Sequence, residues 1–214
     1  MPPPYCYDYP RPAVTVDLAV FALVGPELRV LMIRRQHDPF AGSWALPGGF
    51  LEIDEAIEAG ALRELREETG LEASGPIDFL GAYGDPGRDP RGRTISLLHA
   101  TVIRGTPPAV SGEDDAAEAG WLPARSLAPL AFDHDAMLHR ALGWLESGTR
   151  SGPLGLAILP DEFAAGAVKD LFRSVFGTSK GASTWLRRCE RAGRVVADVG
   201  SPGRYRRSDP GVTS

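Results

Sequence analysis

Apolar and β-branched residues crowd two early segments, AVTVDLAVFAL (13–23) and RVLMIRR (29–35), with the turn-like VGPE between them. Branched side chains suit a pleated sheet, so the pair reads as an opening hairpin. IDFLGAY (77–83), RTISLLHATVI (93–103) and AGWLP (119–123) are further predicted strands. A Gly- and Pro-rich loop, FAGSWALPGGFLEID (40–54), leads into a predicted helix that starts with Asp54 as N-cap, runs to Thr69 and stops at Gly70. DHDAMLHRALGWLES (133–147) is a second helix, with Ala136, Leu138, Leu142 and Leu145 supplying much of one apolar face. SGTRSGP (147–153), made of small and turn-forming residues, is the predicted linker.

Beyond that linker the pattern changes. AAGAVKDLFRSVFG (164–177) predicts a helix with Val168, Leu171, Phe172 and Val175 on its apolar side, and KGASTWLRRCERAG (180–193) predicts another that buries Trp185, Leu186 and Cys189. RVVADVGSPGRYRR (194–207) then gives a short β pattern, a Ser-Pro-Gly turn and an arginine-laden strand. Together they predict helix, turn, helix and wing.

Length and composition leave one large domain or two small ones open, since the 214 residues are 43% hydrophobic. The longest apolar run falls short of the roughly 18 residues that cross a bilayer, and MPPPYCYDYPRP lacks the basic-then-apolar order of a secretory leader. A cytoplasmic protein with no membrane partner is expected. Cys6 and Cys189 are too few for a disulfide scaffold and have no zinc-type spacing. Charge divides the chain: residues 1–149 hold 12 Lys+Arg against 22 Asp+Glu, while residues 150–214 hold 11 against 6. An acidic body with a basic end points to a division of labour, against the plainer alternative of solvated surfaces whose charges fell unevenly.

The chemistry is concentrated in GGFLEIDEAIEAGALRELREETGL (48–71). On a helix Glu64 and Glu68 lie one turn apart with Glu67 beside them, so three carboxylates crowd one face. Crowded like charges call for cations, and hard oxygen ligands at that spacing suit Mg2+ or Mn2+. The plainer alternative is a solvated helix face supported by pairs such as Arg63 with Glu67.

From Gly49 the segment fits G-x5-E-x7-R-E-U-x-E-E-x-G-U, with U aliphatic, at Glu55, Arg63, Glu64, Leu65, Glu67, Glu68, Gly70 and Leu71, and no position departs from it. Such a match arises by chance on the order of once in 10^9 starts. It resembles the signature of the Nudix hydrolases. The resemblance implies an α/β/α sandwich around a mixed sheet. Glu64, Glu67 and Glu68 would carry the metals, Glu55 and Arg63 would orient that shell, and the backbone at Gly48 and Gly49 would approach metal or phosphate closely. Asp115, six residues before Trp121, stands where many members keep a further acid as ligand or general base; Glu113, Asp114 and Glu118 compete for that role, and simple loop solvation is the alternative for each.

GAYGDPGRDPRGRTISLLHA (81–100), with Pro86 about fifteen residues past the box, resembles the mark of ADP-ribose pyrophosphatases. Arg88, Arg91 and Arg93 have the planar fork that suits phosphate or ribose oxygens, and Trp44 or Tyr83 suits stacking on adenine. An exposed polar hairpin and core packing are the respective alternatives.

YPRPAVTVDLAVFAL, RDPRGR, LAFDHDAML and a tail opening with LAILPDEF are together similar to the Nudix-related transcriptional regulators. That resemblance implies a Nudix domain (1–148) sensing ADP-ribose or a related NAD metabolite. It also implies a winged-helix domain (153–214) binding operators of NAD-metabolism genes, usually as a dimer. Lys180, Arg187, Arg188 and Arg191 on the second tail helix, with Arg194, Arg204, Arg206 and Arg207 on the wing, are the expected contacts to double-stranded DNA. A protein–protein module whose arginines meet the acidic body is the alternative. His134, within AFDHD, either touches ligand or caps a helix. Many such regulators have damaged boxes and bind effector without cleaving it, whereas this box is intact, so an ADP-ribose pyrophosphatase remains the second reading.

Overall fold

Strand β1 (Ala13–Val24) and strand β2 (Glu27–Arg35) form the expected hairpin, in register Phe21↔Val30 to Val24↔Glu27, around Gly25 and Pro26. Gly25 adopts a left-handed φ of 59°, which a side chain would resist. This computed structural model describes residues 7–73, 75–112, 116–151 and 154–208. Two short strands, β3 (Trp44–Ala45) and β4 (Gly48–Phe50), pair with β2 and β1, and helix α1 (Ile57–Thr69) follows. Strands β5 (Asp78–Tyr83), β6 (Thr94–Val102) and β7 (Ala116–Pro123) complete a seven-stranded sheet along the path β3-β2-β1-β6-β5, with β4 on β1 and β7 on β2. The sheet is mixed, because β1 runs parallel to β6 and antiparallel to β2.

Alternation along β1 distributes the core. Leu18 and Val20 join Leu31, Leu65 and Leu71 beneath α1, whereas Ala19 and Phe21 face helix α2 (His134–Ser151) through Met137, Ala141 and Leu145. The arrangement is the α/β/α layering implied by the resemblance.

Two expectations need correction. Helix α1 begins at Ile57 with Ala56 as N-cap and no side-chain cap, not at Asp54, because the Glu55 carboxylate closes a turn ahead of the helix by accepting from Glu52 N–H at 2.8 Å. The segment expected as a linker is helical through Ser151, since α2 gains a packing partner in the tail. A Cβ at Gly148 would sit 2.6 Å from Leu154 Cδ2, so the bare backbone there admits the next turn of chain. Residues 152 and 153 lie outside the described residues.

The tail runs α3 (Leu154–Ile158), β8 (Glu162–Ala164), α4 (Ala165–Phe176), α5 (Ala182–Arg191), β9 (Val195–Ala197) and β10 (Arg204–Arg207), with a three-stranded sheet in the order β8-β10-β9. It is the expected helix–turn–helix with a wing, plus α3 and β8, which were too short to leave a periodic pattern. Val168, Leu171, Phe172 and Val175 of α4 and Trp185, Leu186 and Cys189 of α5 are all buried. They belong to the same hydrophobic cluster as the α2 face of the main sheet. Trp185 Nε1 donates to the Thr149 carbonyl at 2.7 Å, Arg188 donates to the Arg150 carbonyl, and Arg125 Nε donates to the Ser174 carbonyl at 3.1 Å. No described helix is long and apolar enough to cross a membrane.

Candidate functional site

Leu65 is wholly buried against the sheet, and this fixes the rotation of α1 so that Glu64 and Glu68, one residue before it and three after, flank the edge next to β4. Gly49 of β4 is where that edge comes closest: a Cβ there would lie 2.5 Å from the Glu64 carboxylate. At Gly48 a Cβ would lie 2.1 Å from Val16 O, and its N–H donates to Glu68 Oε2 at 2.8 Å. The two glycines let a strand pass within hydrogen-bond reach of the acidic helix.

Arg63 organises the acids. Its Nε and Nη2 grip Glu55 at 3.0 and 2.7 Å, Nη1 reaches Glu64 at 2.8 Å and Glu67 at 2.9 Å, and Nη2 also reaches the Phe50 carbonyl at 3.1 Å. Every donor of the guanidinium is engaged. The hydrogen bonds from Arg63, then the one from Glu52 N–H, pull Glu55 down to a pKa of about 2. Burial raises Glu64. Burial also raises Glu68 to about 8 against the opposing Gly48 hydrogen bond, with Glu64 and Asp17 adding repulsion. A carboxylate hidden among carboxylates is poorly stabilised by what surrounds it and would be relieved by a hard cation. Among the described residues no three acids, histidines or cysteines already converge as a metal cage; Arg63 instead holds Glu64 and Glu67. The donor set fits a divalent ion in its chemistry and its unbalanced charge.

Beside β4, a cleft is lined by Asp17, Arg35, Leu46, Gly48, Arg88, Arg91, Phe132 and His134, among others. Arg88 forks onto Asp133 at 2.9 and 2.5 Å and Arg91 onto Asp89, and these two of the three expected ligand-binding arginines share the cleft. Arg93 does not line it and donates to the Gly84 carbonyl. Trp44 is partly buried against the main hydrophobic cluster, as is Tyr83, which is the core-packing alternative for both. Asp115, with Glu113 and Asp114, lies outside the described residues.

Asp17 and Asp133 went unassigned in the sequence, and the role of His134 was left open. Asp17 is buried on β1, accepts from Ser96 Oγ and faces His134 Nε2 at 3.5 Å. Leu46 N–H donates to His134 Nδ1 at 3.0 Å, which places the ring proton on Nε2 toward Asp17, and burial holds the imidazole below its usual pKa. His134 thereby ties the start of α2 to the loop that delivers Gly48. Asp133 fixes Arg88. One charge in the otherwise apolar AVTVDLAVFAL was the available signal for Asp17.

In the tail, Lys180, Arg187, Arg188, Arg191, Arg194, Arg204 and Arg206 are exposed and form no ion pair among the described residues. Arg207 is half-buried and donates to the Leu156 carbonyl at 3.1 Å. Among the described residues, no acid of the body pairs with Arg187, Arg188, Arg191, Arg194, Arg204 or Arg206.

Residues 14–141 match the family model described as the NUDIX domain. The chain is 32% identical over 193 residues to the "ADPR responsive transcriptional repressor NtrR" of Acinetobacter baylyi, covering 88% of this chain and 76% of that one. It is 38% identical over 136 residues to the "ADP-ribose pyrophosphatase" of Methanocaldococcus jannaschii, covering 64% and 76%. NrtR of Shewanella oneidensis superposes with a TM-score of 0.76 at 25% identity over 92% of this chain and 94% of that one. Its NUDIX domain, solved in complex with ADP ribose, superposes at 0.60 with 31% identity over 65% and 94%. The chain belongs to the Nudix family and is closely related to its winged-helix regulators.

Proposed function

We propose that this protein is a cytoplasmic transcriptional repressor of NAD-metabolism genes, with a Nudix domain (1–148) that senses ADP-ribose or a related nucleotide and a winged-helix domain (153–214) that binds double-stranded operator DNA as a homodimer. The observation that carries it is the exposed basic face of α5 and the wing, where Arg187, Arg188, Arg191, Arg194, Arg204 and Arg206 form no ion pair among the described residues, mounted on the same hydrophobic core as the nucleotide cleft. Relatedness to an ADP-ribose-responsive repressor over 88% of the chain supports the same reading. Lysine and arginine in this setting neutralise phosphates and release counterions, while few side chains at the start of a recognition helix read bases. Mobility shift with the DNA upstream of its own gene tests it. Specific retardation that changes with ADP-ribose is expected, and retardation no stronger than with unrelated DNA would refute it.

A second reading, retained cleavage of the diphosphate to AMP and ribose 5-phosphate, is favoured by one observation: the Glu55–Arg63–Glu64–Glu67 network and Glu68 are intact. Glu64, Glu67 and Glu68 would hold Mg2+ or Mn2+. Such an ion, when bound, screens the diphosphate charge, polarises phosphorus and lowers the pKa of an attacking water. Arg63 and Glu55 keep the carboxylates in place, and Arg88 and Arg91 offer guanidinium groups to the anionic substrate. Release of AMP that requires Mg2+ and collapses in Glu68→Gln is expected; equal rates in that variant would remove the metal role.

A further inference from the structure

Among the described residues, two that are not glycine have a left-handed backbone, Phe40 with φ 63° and Phe132 with φ 54°. Bulky side chains rarely adopt that conformation, and a fold retains it where the surroundings hold the residue for another purpose. Phe40 comes from the loop between β2 and β3, and Phe132 from the segment that precedes α2, yet their rings meet with centroids 4.8 Å apart at an angle of 59°. Phe132 packs one side against the small cluster of Ile33, Ala45, Ala116 and Ala131, but core filling does not account for Phe40, which is 41% exposed.

Phe132 lines the same cleft as Gly48, Gly49, Arg88 and His134. The Arg35 guanidinium lies 4.9 Å over its ring, and Arg91 lies 5.8 Å from it and 5.3 Å from the ring of Phe50. Aromatic faces bordered by guanidinium planes are the surroundings in which a flat heteroaromatic base stacks, and each such stack contributes without requiring a particular hydrogen-bond pattern. Trp44 and Tyr83, the aromatics that the sequence offers for this purpose, pack against the core instead.

We propose that Phe40 and Phe132, bordered by Arg35 and Arg91, form the subsite for the aromatic base of the nucleotide bound in the cleft. The proposal rests on the nucleotide reading of that cleft. It assigns base selection to two loops away from the acidic helix, so phosphate binding and base binding are separable.

Isothermal titration of the full chain with the α,β-methylene analogue of ADP-ribose, which resists cleavage, and with inorganic pyrophosphate, each with Mg2+, tests this. Phe40→Gly and Phe132→Leu are expected to weaken the analogue by tenfold or more and pyrophosphate by less than twofold. Phe40→Gly is also expected to keep its Tm, since glycine accepts the left-handed backbone, so its loss of affinity is not a loss of fold. Wild-type affinity for the analogue in Phe40→Gly overturns the subsite while leaving the cleft reading intact. The same holds if affinity falls in Trp44→Leu and in neither phenylalanine variant. Failure of the wild-type protein to bind the analogue overturns the cleft reading and the subsite with it.

Discussion

Arginines around the acidic helix and its neighbouring cleft and arginines in the tail are in opposite states. Arg63 has all its donors on Glu55, Glu64, Glu67 and the Phe50 carbonyl, and Arg88 and Arg91 are forked onto Asp133 and Asp89. Lys180, Arg187, Arg191, Arg194, Arg204 and Arg206 are exposed and without ion pairs among the described residues. A paired, partly buried arginine shapes the acids around it and is costly to remove, whereas a solvated one contributes little to stability and is available to an external polyanion. The same residue type therefore builds a site in one region and presents a surface in the other. What joins the regions is α2, whose 18 residues span roughly 27 Å, from His134 in the cleft to the Thr149 and Arg150 carbonyls that receive Trp185 and Arg188.

The largest expected effect tests whether the regions are one folding unit. Trp185→Ala removes a large side chain from the shared cluster and its hydrogen bond to Thr149, and should cost about 3–5 kcal/mol. Denaturation followed by tail and body probes together should stay a single transition; two separated transitions would show that the contrast lies between independent domains.

Glu68→Gln sharpens the cleft side. Glu68 is raised from 4.5 to about 8 in the folded protein, so the folded state keeps a proton that the unfolded state loses. Its contribution is full below pH 4.5 and is lost as pH rises toward 8. In chelator, wild type should therefore lose on the order of 2 kcal/mol more than Glu68→Gln between pH 5 and 7, read as Tm against pH. Parallel curves would mean that Glu68 is not destabilised by its surroundings.

On the tail side, Arg187→Glu with Arg191→Glu should weaken DNA binding at least tenfold and flatten the plot of log K against log salt by roughly 1.8. An unchanged slope would take α5 out of the interface. The smallest effect completes the contrast: Arg187→Ala should change folding stability by less than about 0.5 kcal/mol. A larger loss would show that this exposed arginine is structural after all.

The hairpin, the acidic helix and the tail helices were legible because each has a strong period or an invariant spacing. Buried Val168 and Trp185 stand where their periodicity places them, and buried Leu65 at an aliphatic position of the motif. Linker composition misled, since the segment continues α2, with Gly148 small to admit Leu154 rather than for flexibility. Short elements such as α3 and β8 carry too few residues to show a pattern. At the site, Glu55 and Arg63 could be read from spacing, but Asp17 on β1 and the adjacent Phe132 and Asp133 ahead of α2 come from distant parts of the chain and meet only in the fold. Arg93 looked equivalent to Arg88 and Arg91 because its turn toward Gly84 is set by the end of β6, not by its neighbours in sequence.

The central claim, that one chain couples a nucleotide cleft to a DNA-binding face, is tested most directly by salt-titrated binding of the full-length protein to its upstream DNA, with and without ADP-ribose. Sequence-specific binding whose affinity shifts with ADP-ribose, and no such shift in a cleft variant such as Gly49→Ala, is the expected result. Binding indistinguishable from that to unrelated DNA, or specific binding that saturating ADP-ribose leaves unchanged, would contradict it.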